Sequence, residues 1–99
     1  MNNFLSTLGL ARRAGKLLLG VESVESFRKP IALLIYASDA SPRVRRALAG
    51  RTDPSVCPNL TKEQLGAAVG CKNAAVLAVT DAGFAGILRK KLELQEENE

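Results

Sequence analysis

Pro30-Ile31-Ala32-Leu33-Leu34-Ile35-Tyr36-Ala37-Ser38-Asp39-Ala40-Ser41-Pro42 changes character in the middle. Ile31–Ala37 is apolar at every position. It is too short for a helix of its own and carries β-branched and aromatic side chains, which favours a strand buried on both faces. From Asp39 the signals switch to those of a helix start. Ser41 is a good capping residue, and Pro42 suits the first helical position, where no backbone donor is needed. A helix is therefore predicted over Pro42–Leu48, leaving directly from the end of a central strand.

The same pairing recurs downstream. Ala75–Thr80 reads as a second buried strand, and Asp81 caps a helix over Ala82–Leu92 whose Phe84, Ile87, Leu88 and Leu92 form one stripe. Upstream, Phe4, Leu5, Leu8 and Ala11 share one helical face, and Gly15 supplies a left-handed end. Leu17–Leu19 is a short apolar run. A helix then begins at Gly20, repeats through Val21, Val24 and Phe27, and ends before Pro30. Ser55–Pro58 suits a short edge strand. Thr61-Lys62-Glu63-Gln64 has the form of a capping box opening a helix over Lys62–Val69, in which Gly66, Ala67 and Ala68 permit close approach, and Gly70 ends it. Helices alternating with strands predict an α/β protein: a three-layer α/β/α sandwich with a mixed four-stranded sheet. Residues 1–92 are read as one domain, and 93–99 as an acidic tail, frayed or disordered.

Charge narrows the partners. The chain has 99 residues and a net charge of +4. Four glutamates lie within 93–99, so residues 1–92 carry 14 basic and 6 acidic side chains, a net +8. A basic body points to a polyanion. No stretch approaches the apolar length of a membrane span, and the first residues lack the pattern of a secretory signal; a cytoplasmic protein is expected. Cys57 and Cys71 stand far apart, and there is no histidine, so no Cys/His zinc site and no metal or other cofactor is expected. Both cysteines are read as small, buried or half-buried residues.

Catalytic motifs are weak. Gly9-Leu10-Ala11-Arg12-Arg13-Ala14-Gly15-Lys16 is superficially like a phosphate-binding loop, but five residues separate its glycines, and Leu17 follows the lysine where Ser or Thr would hold magnesium. It also follows a helix instead of a strand. Asp39 and Asp81 each follow a strand, a common place for chemistry, but read better as helix-start residues. Cys57 has no base beside it. The chain is expected not to be an enzyme, with no catalytic residues. The basic residues are more informative: Arg12, Arg13 and Lys16 around the first helix end, Arg28 and Lys29 after the second, Arg43, Arg45, Arg46 and Arg51 around the third. Only four aromatics are present, three of them on apolar stripes, which disfavours a stacking platform for single strands.

Taken in order, Ala14-Gly15-Lys16, Gly20, Ser38-Asp39-Ala40-Ser41, Leu65-Gly66-Ala67-Ala68-Val69-Gly70 and Val79-Thr80-Asp81-Ala82-Gly83-Phe84-Ala85 resemble the family of archaeal ribosomal protein L-seven-Ae and eukaryotic ribosomal protein L-thirty-e, and within it the bacterial YlxQ-like branch. The similarity runs from about Leu5 to Leu92. It implies an α/β/α sandwich that binds RNA kink-turns. In that family the start of the second helix enters a widened groove at tandem G·A pairs, and a loop before the last strand packs on an extruded nucleotide. Carried over, the RNA-binding residues are Gly15, Lys16, Gly20, Val21, Glu22, Ser23, Cys71, Lys72, Asn73 and Ala74. A helix start offers free N–H groups to phosphates, and a kink opens a groove that A-form RNA otherwise closes. One departure stands out: archaeal members place Asn-Glu where this chain has Glu22-Ser23.

The expectation is a non-catalytic binder of structured RNA, a kink-turn or similar, associated with the ribosome or translation, with no DNA and no membrane partner. The alternative is a protein-interaction or ribosome-assembly factor that uses the same fold without specific RNA binding.

Overall fold

The computed structural model describes residues 3–51 and 53–97, without the side chains of Asn3 and of residues 94–97. Its elements are α1 (Asn3–Arg13), β1 (Leu17–Leu19), α2 (Gly20–Ser26), β2 (Leu33–Tyr36), α3 (Pro42–Ala47), β3 (Ser55–Val56), α4 (Lys62–Val69), β4 (Val76–Val79) and α5 (Ala82–Glu97). The strands form one four-stranded sheet in the order β1-β4-β2-β3. β4 runs antiparallel to both β1 and β2, and β3 runs parallel to β2, so the sheet is mixed.

Side chains of a strand alternate between faces, and here both faces are apolar. Leu33, Ile35, Leu77 and Val79 pack with Phe4 and Leu8 of α1, Leu65 and Val69 of α4, and Ala85 and Leu88 of α5. Leu34, Tyr36, Val76 and Ala78 pack on the other side with Val24 of α2 and Leu48 after α3. The continuous apolar reading of Ile31–Ala37 thus has its cause: helices cover the sheet on both sides, and the three-layer architecture stands. Each fully buried Leu or Val contributes roughly 1.5–3 kcal/mol of transfer free energy. The two central strands, whose residues are all buried, carry much of that gain.

The starts and stops follow their local chemistry. The Ser41 hydroxyl accepts from the Val44 N–H, and Pro42 follows it. Thr61 and Gln64 form the reciprocal capping box. The Asp81 carboxylate accepts from the Phe84 N–H at 3.0 Å and caps α5. Gly15 and Gly70 adopt φ of +73° and +83°, where a side chain would be strained.

Four expectations shift. β2 is shorter than the apolar run, because the Ile31 N–H is taken by the Asp53 carboxylate before strand pairing begins. α2 stops at Ser26, since Phe27 is already extended with ψ of 115°. α5 continues past Leu92 to Glu97, while Asn98 and Glu99 of the acidic segment lie outside the described residues. Cys57 is exposed, not buried, and Cys71 is half-buried.

Candidate nucleic-acid interface

The sheet register decides which sequence-predicted residues meet. Leu19 at the end of β1 pairs with Leu77 near the start of β4. Tyr36 at the end of β2 pairs with Val76, and the Ala37 N–H donates to the Ala75 carbonyl. The start of α2, the start of α3 and the segment entering β4 therefore share one end of the sheet. Gly20, Val21, Glu22 and Ser23 share that end with Asn73 and Ala74, which lead into β4.

Gly20 has φ of +85° and would meet nothing if given a Cβ. It is needed for backbone conformation, not for space. It turns the chain from β1 straight into α2 with Leu19 in the capping position, where no side chain accepts from the helix. α3, α4 and α5 do receive side-chain caps, from Ser41, Thr61 and Asp81. The first N–H groups of α2 are left to water or a ligand. Glu22 and Ser23 are exposed beside them.

The segment from Gly70 to Ala74 doubles back along α4. The Cys71 N–H donates to the Gly66 carbonyl at 2.8 Å, and the Ala74 N–H donates to the Lys62 carbonyl at 2.9 Å. It lies so close that a Cβ on Gly66 would stand 2.8 Å from the Cys71 carbonyl oxygen and 2.9 Å from the Asn73 nitrogen. The Cys71 thiol donates to the Asn73 carbonyl. Ala74 is buried, and Lys72 and Asn73 are held exposed on a fixed backbone. Asp39, read from sequence as a helix-start residue near α3, instead accepts from the Lys62 N–H and ties the exit of β2 to the start of α4.

Gly15 and Lys16 do not join this group. Lys16 precedes β1, and its carbonyl accepts from the Thr80 N–H beyond the far end of β4. The three residues of β1 separate Lys16 from Gly20, a span of about 13 Å of extended chain.

Several cations prove to be structural, and sequence reasoning missed their partners. Arg12 donates to the Val69 carbonyl at 2.6 Å and closes the end of α4. Arg45 lies over the Tyr36 ring at 5.1 Å and donates to the Cys57 sulfur. Burial pushes the Tyr36 hydroxyl above its ordinary range, and Arg45 opposes that shift only in part. Arg51 pairs with Asp53 at 2.6 Å and donates to the Val24 carbonyl in the last turn of α2 and to the Phe27 and Lys29 carbonyls just after it. The Ile31 N–H, then Arg51, hold the Asp53 carboxyl below the usual aspartate range. The only available signal was Asp53 two residues after Arg51 at a turn. Among the described residues no group of three Cys, Asp or Glu side chains is placed to hold a metal ion, and no helix is long and apolar enough to cross a membrane.

A solved structure, that of a protein with unknown function from Bacillus halodurans, is similar to this chain at 30% identity, with a TM-score of 0.77, covering 94% of this chain and 99% of that one. The chain belongs to the family of that protein. A Giardia lamblia 15.5kD RNA binding protein shares the fold at 20% identity, with a TM-score of 0.63, over 91% of this chain and 84% of that one. No family model and no curated protein matches. The family thus has a member covered almost end to end by this chain, and its fold is one that an RNA-binding protein also uses.

Proposed function

We propose that the chain is a non-catalytic binder of structured RNA that grips a kinked duplex at the shared start of α2 and entry to β4, in association with the ribosome or translation. The observation that carries this reading is the convergence of an uncapped helix start with the rigid Cys71–Ala74 segment at one end of the sheet. Free N–H groups favour phosphate oxygens, Lys72 adds a charge-assisted contact, and Asn73 offers both a donor and an acceptor to a base edge. Support comes from the net +8 of residues 1–92 and from the RNA-binding Giardia protein of the same fold.

A kinked RNA duplex is expected to bind more tightly than a straight duplex of equal length. Its affinity should fall with salt at a log–log slope of about −2 to −4, as roughly three to five phosphate contacts would give. Titration of both RNAs over a salt series tests this. Equal affinity for the two at every salt concentration leaves only non-specific basic attraction.

Glu22 sets a second expectation. A carboxylate accepts hydrogen bonds but donates none, and it repels phosphate. Glu22→Asn with Ser23→Glu supplies a donor and acceptor at the first position and moves the carboxylate one residue on, about 100° around the helix. The double variant is expected to bind a kinked duplex roughly 1–3 kcal/mol more tightly, the scale of a good base-edge contact. Calorimetric titration against one RNA measures it, and weaker binding would place both residues in favourable contact already.

A further inference from the structure

One group of basic residues gathers at the end of the sheet opposite the candidate interface. α2 and α3 both start at the interface end and run away from it. Their exits, Arg28-Lys29 and Arg46 through Arg51, come together where β2 and β3 begin. Lys16 enters β1 at the same end. One strand, β4, separates β1 from β2, so Lys16 lies about 10 Å across the sheet from Ala32. Between the two helix exits is a shallow pocket of about 380 Å³ lined by Arg28, Lys29, Pro30, Gly50, Arg51 and Asp53.

The cations here divide into two sets. Arg51 is spent on Asp53 and on three carbonyls. The Val24 carbonyl lies in the last turn of α2 and those of Phe27 and Lys29 in the segment after it; Arg51 gives all three a donor, so they turn less negative charge toward an anion at this end. The side chains of Lys16, Arg28, Lys29 and Arg46 are exposed, and among the described residues none of the four has an ion-pair partner. Of the nearby carboxylates, Asp53 is held by Arg51 and the Ile31 N–H, Asp81 caps α5, and Glu25 lies a turn back along α2.

We infer that this end, around Arg28, Lys29, Arg46 and Lys16, is a second nucleic-acid contact, specific for the phosphate backbone of a duplex RNA arm and blind to its sequence. The inference rests on the RNA-binding reading above and extends it: the protein touches RNA at both ends of its sheet. Lysines and arginines without exposed aromatic or amide neighbours read charge and position, not bases. An anionic membrane is the weaker fit. Among the described residues the exposed large apolar side chains, Leu10 and Ile87, belong to α1 and α5 in the opposite layer and not to this end, where they could insert among lipids.

The test compares the full chain with Arg28→Glu/Lys29→Glu, after melting curves show equal stability. Arg28→Gln/Lys29→Gln serves if the charge reversal unfolds the protein. The probes are a kinked RNA duplex with short stems and the same RNA with one stem extended by a further helical turn. Wild type is expected to bind the extended RNA more tightly, and the variant to lose that gain, with affinity down about tenfold and the salt slope shallower by roughly 1.4–1.8, as two lost phosphate contacts require. Binding to the short RNA stays unchanged. If wild type binds neither RNA, the RNA reading itself fails. If wild type binds both and the variant matches it on both, only the second contact fails. The second contact is equally overturned if the variant matches wild type on RNA but loses binding to vesicles containing phosphatidylserine.

Discussion

Gly66→Ala is expected to lower both the melting temperature and the affinity for RNA, whereas Gly86→Ala raises the melting temperature and leaves binding alone. Both glycines sit inside helices, so intrinsic propensity favours alanine at each by roughly 0.8–1 kcal/mol. What lies beyond the helix decides the sign. A Cβ on Gly86 meets nothing within 4 Å. On Gly66 it meets the Cys71 carbonyl oxygen at 2.8 Å and the Lys72 carbon and Asn73 nitrogen at 2.9 Å, all of them backbone. No rotamer change relieves that contact. The segment would have to move while bonded to α4 on both sides, through the Cys71 N–H and the Ala74 N–H. Overpacking of this kind costs about 1–3 kcal/mol and exceeds the propensity gain. For a domain of this size, each kcal/mol is worth about 4–8 °C. Lys72 and Asn73 ride on the displaced backbone, so binding to a kinked duplex weakens even at temperatures where the variant is fully folded. Thermal melts and RNA titration of the two variants check the pair. A Gly66→Ala protein as stable as wild type and as tight on RNA would remove the rigid segment from the proposed interface.

Much of this architecture could be read from local signals. Ile31–Ala37 and Ala75–Thr80 announce doubly covered strands, and Ser41-Pro42, Thr61-Gln64 and Asp81 each mark a helix start found in the fold. These signals are local because caps and apolar runs act over a few residues. The layout of the candidate site depended on sheet order, which is not local. Lys16 lies only four positions from Gly20, so the chain alone suggests one site. β1 between them is extended, and its antiparallel pairing with β4 sends them to opposite ends. The same limit hid Asp39, whose carboxylate crosses 23 positions to the Lys62 N–H, and Arg45, whose place is set by the Tyr36 ring. Gly66 was legible as a point of close approach, but not what approaches it: the segment just downstream folds back instead of a neighbouring layer pressing in.

Arg51→Ala is expected to cost about 2–4 kcal/mol at neutral pH, with the part carried by its pairing with Asp53 disappearing in acid. In the native protein Arg51 donates to the Asp53 carboxylate at 2.6 Å and to the Val24, Phe27 and Lys29 carbonyls at 3.4, 3.2 and 3.4 Å. Alanine leaves a carboxylate and the end of α2 without those donors. Water reaches the site, since the two side chains keep 22% and 12% of their exposure, so the loss stays below that of a sealed ion pair. Lysine keeps the charge but not the fork that spans a carboxylate and several carbonyls, so Arg51→Lys should recover only part of the stability. The pH dependence follows from Asp53. The Ile31 N–H first, then Arg51, hold its folded pKa below the unfolded value, so the unfolded chain takes up the proton more readily. The stability this adds is complete above the unfolded aspartate pKa of about 3.9 and is lost as pH falls through the lower folded value. In Arg51→Ala the Ile31 N–H remains, so Asp53 stays partly depressed and that variant loses less on acidification. The gap in unfolding free energy between wild type and Arg51→Ala should therefore be widest near neutrality and should narrow through the acid range. Asp53→Asn, which cannot titrate, should flatten the same region of the profile. Denaturant unfolding of the three proteins from neutral pH down through the carboxylate range measures this. A gap that stays constant across that range would mean that Arg51 acts through the Val24, Phe27 and Lys29 carbonyls alone, and that its pairing with Asp53 adds nothing to the fold.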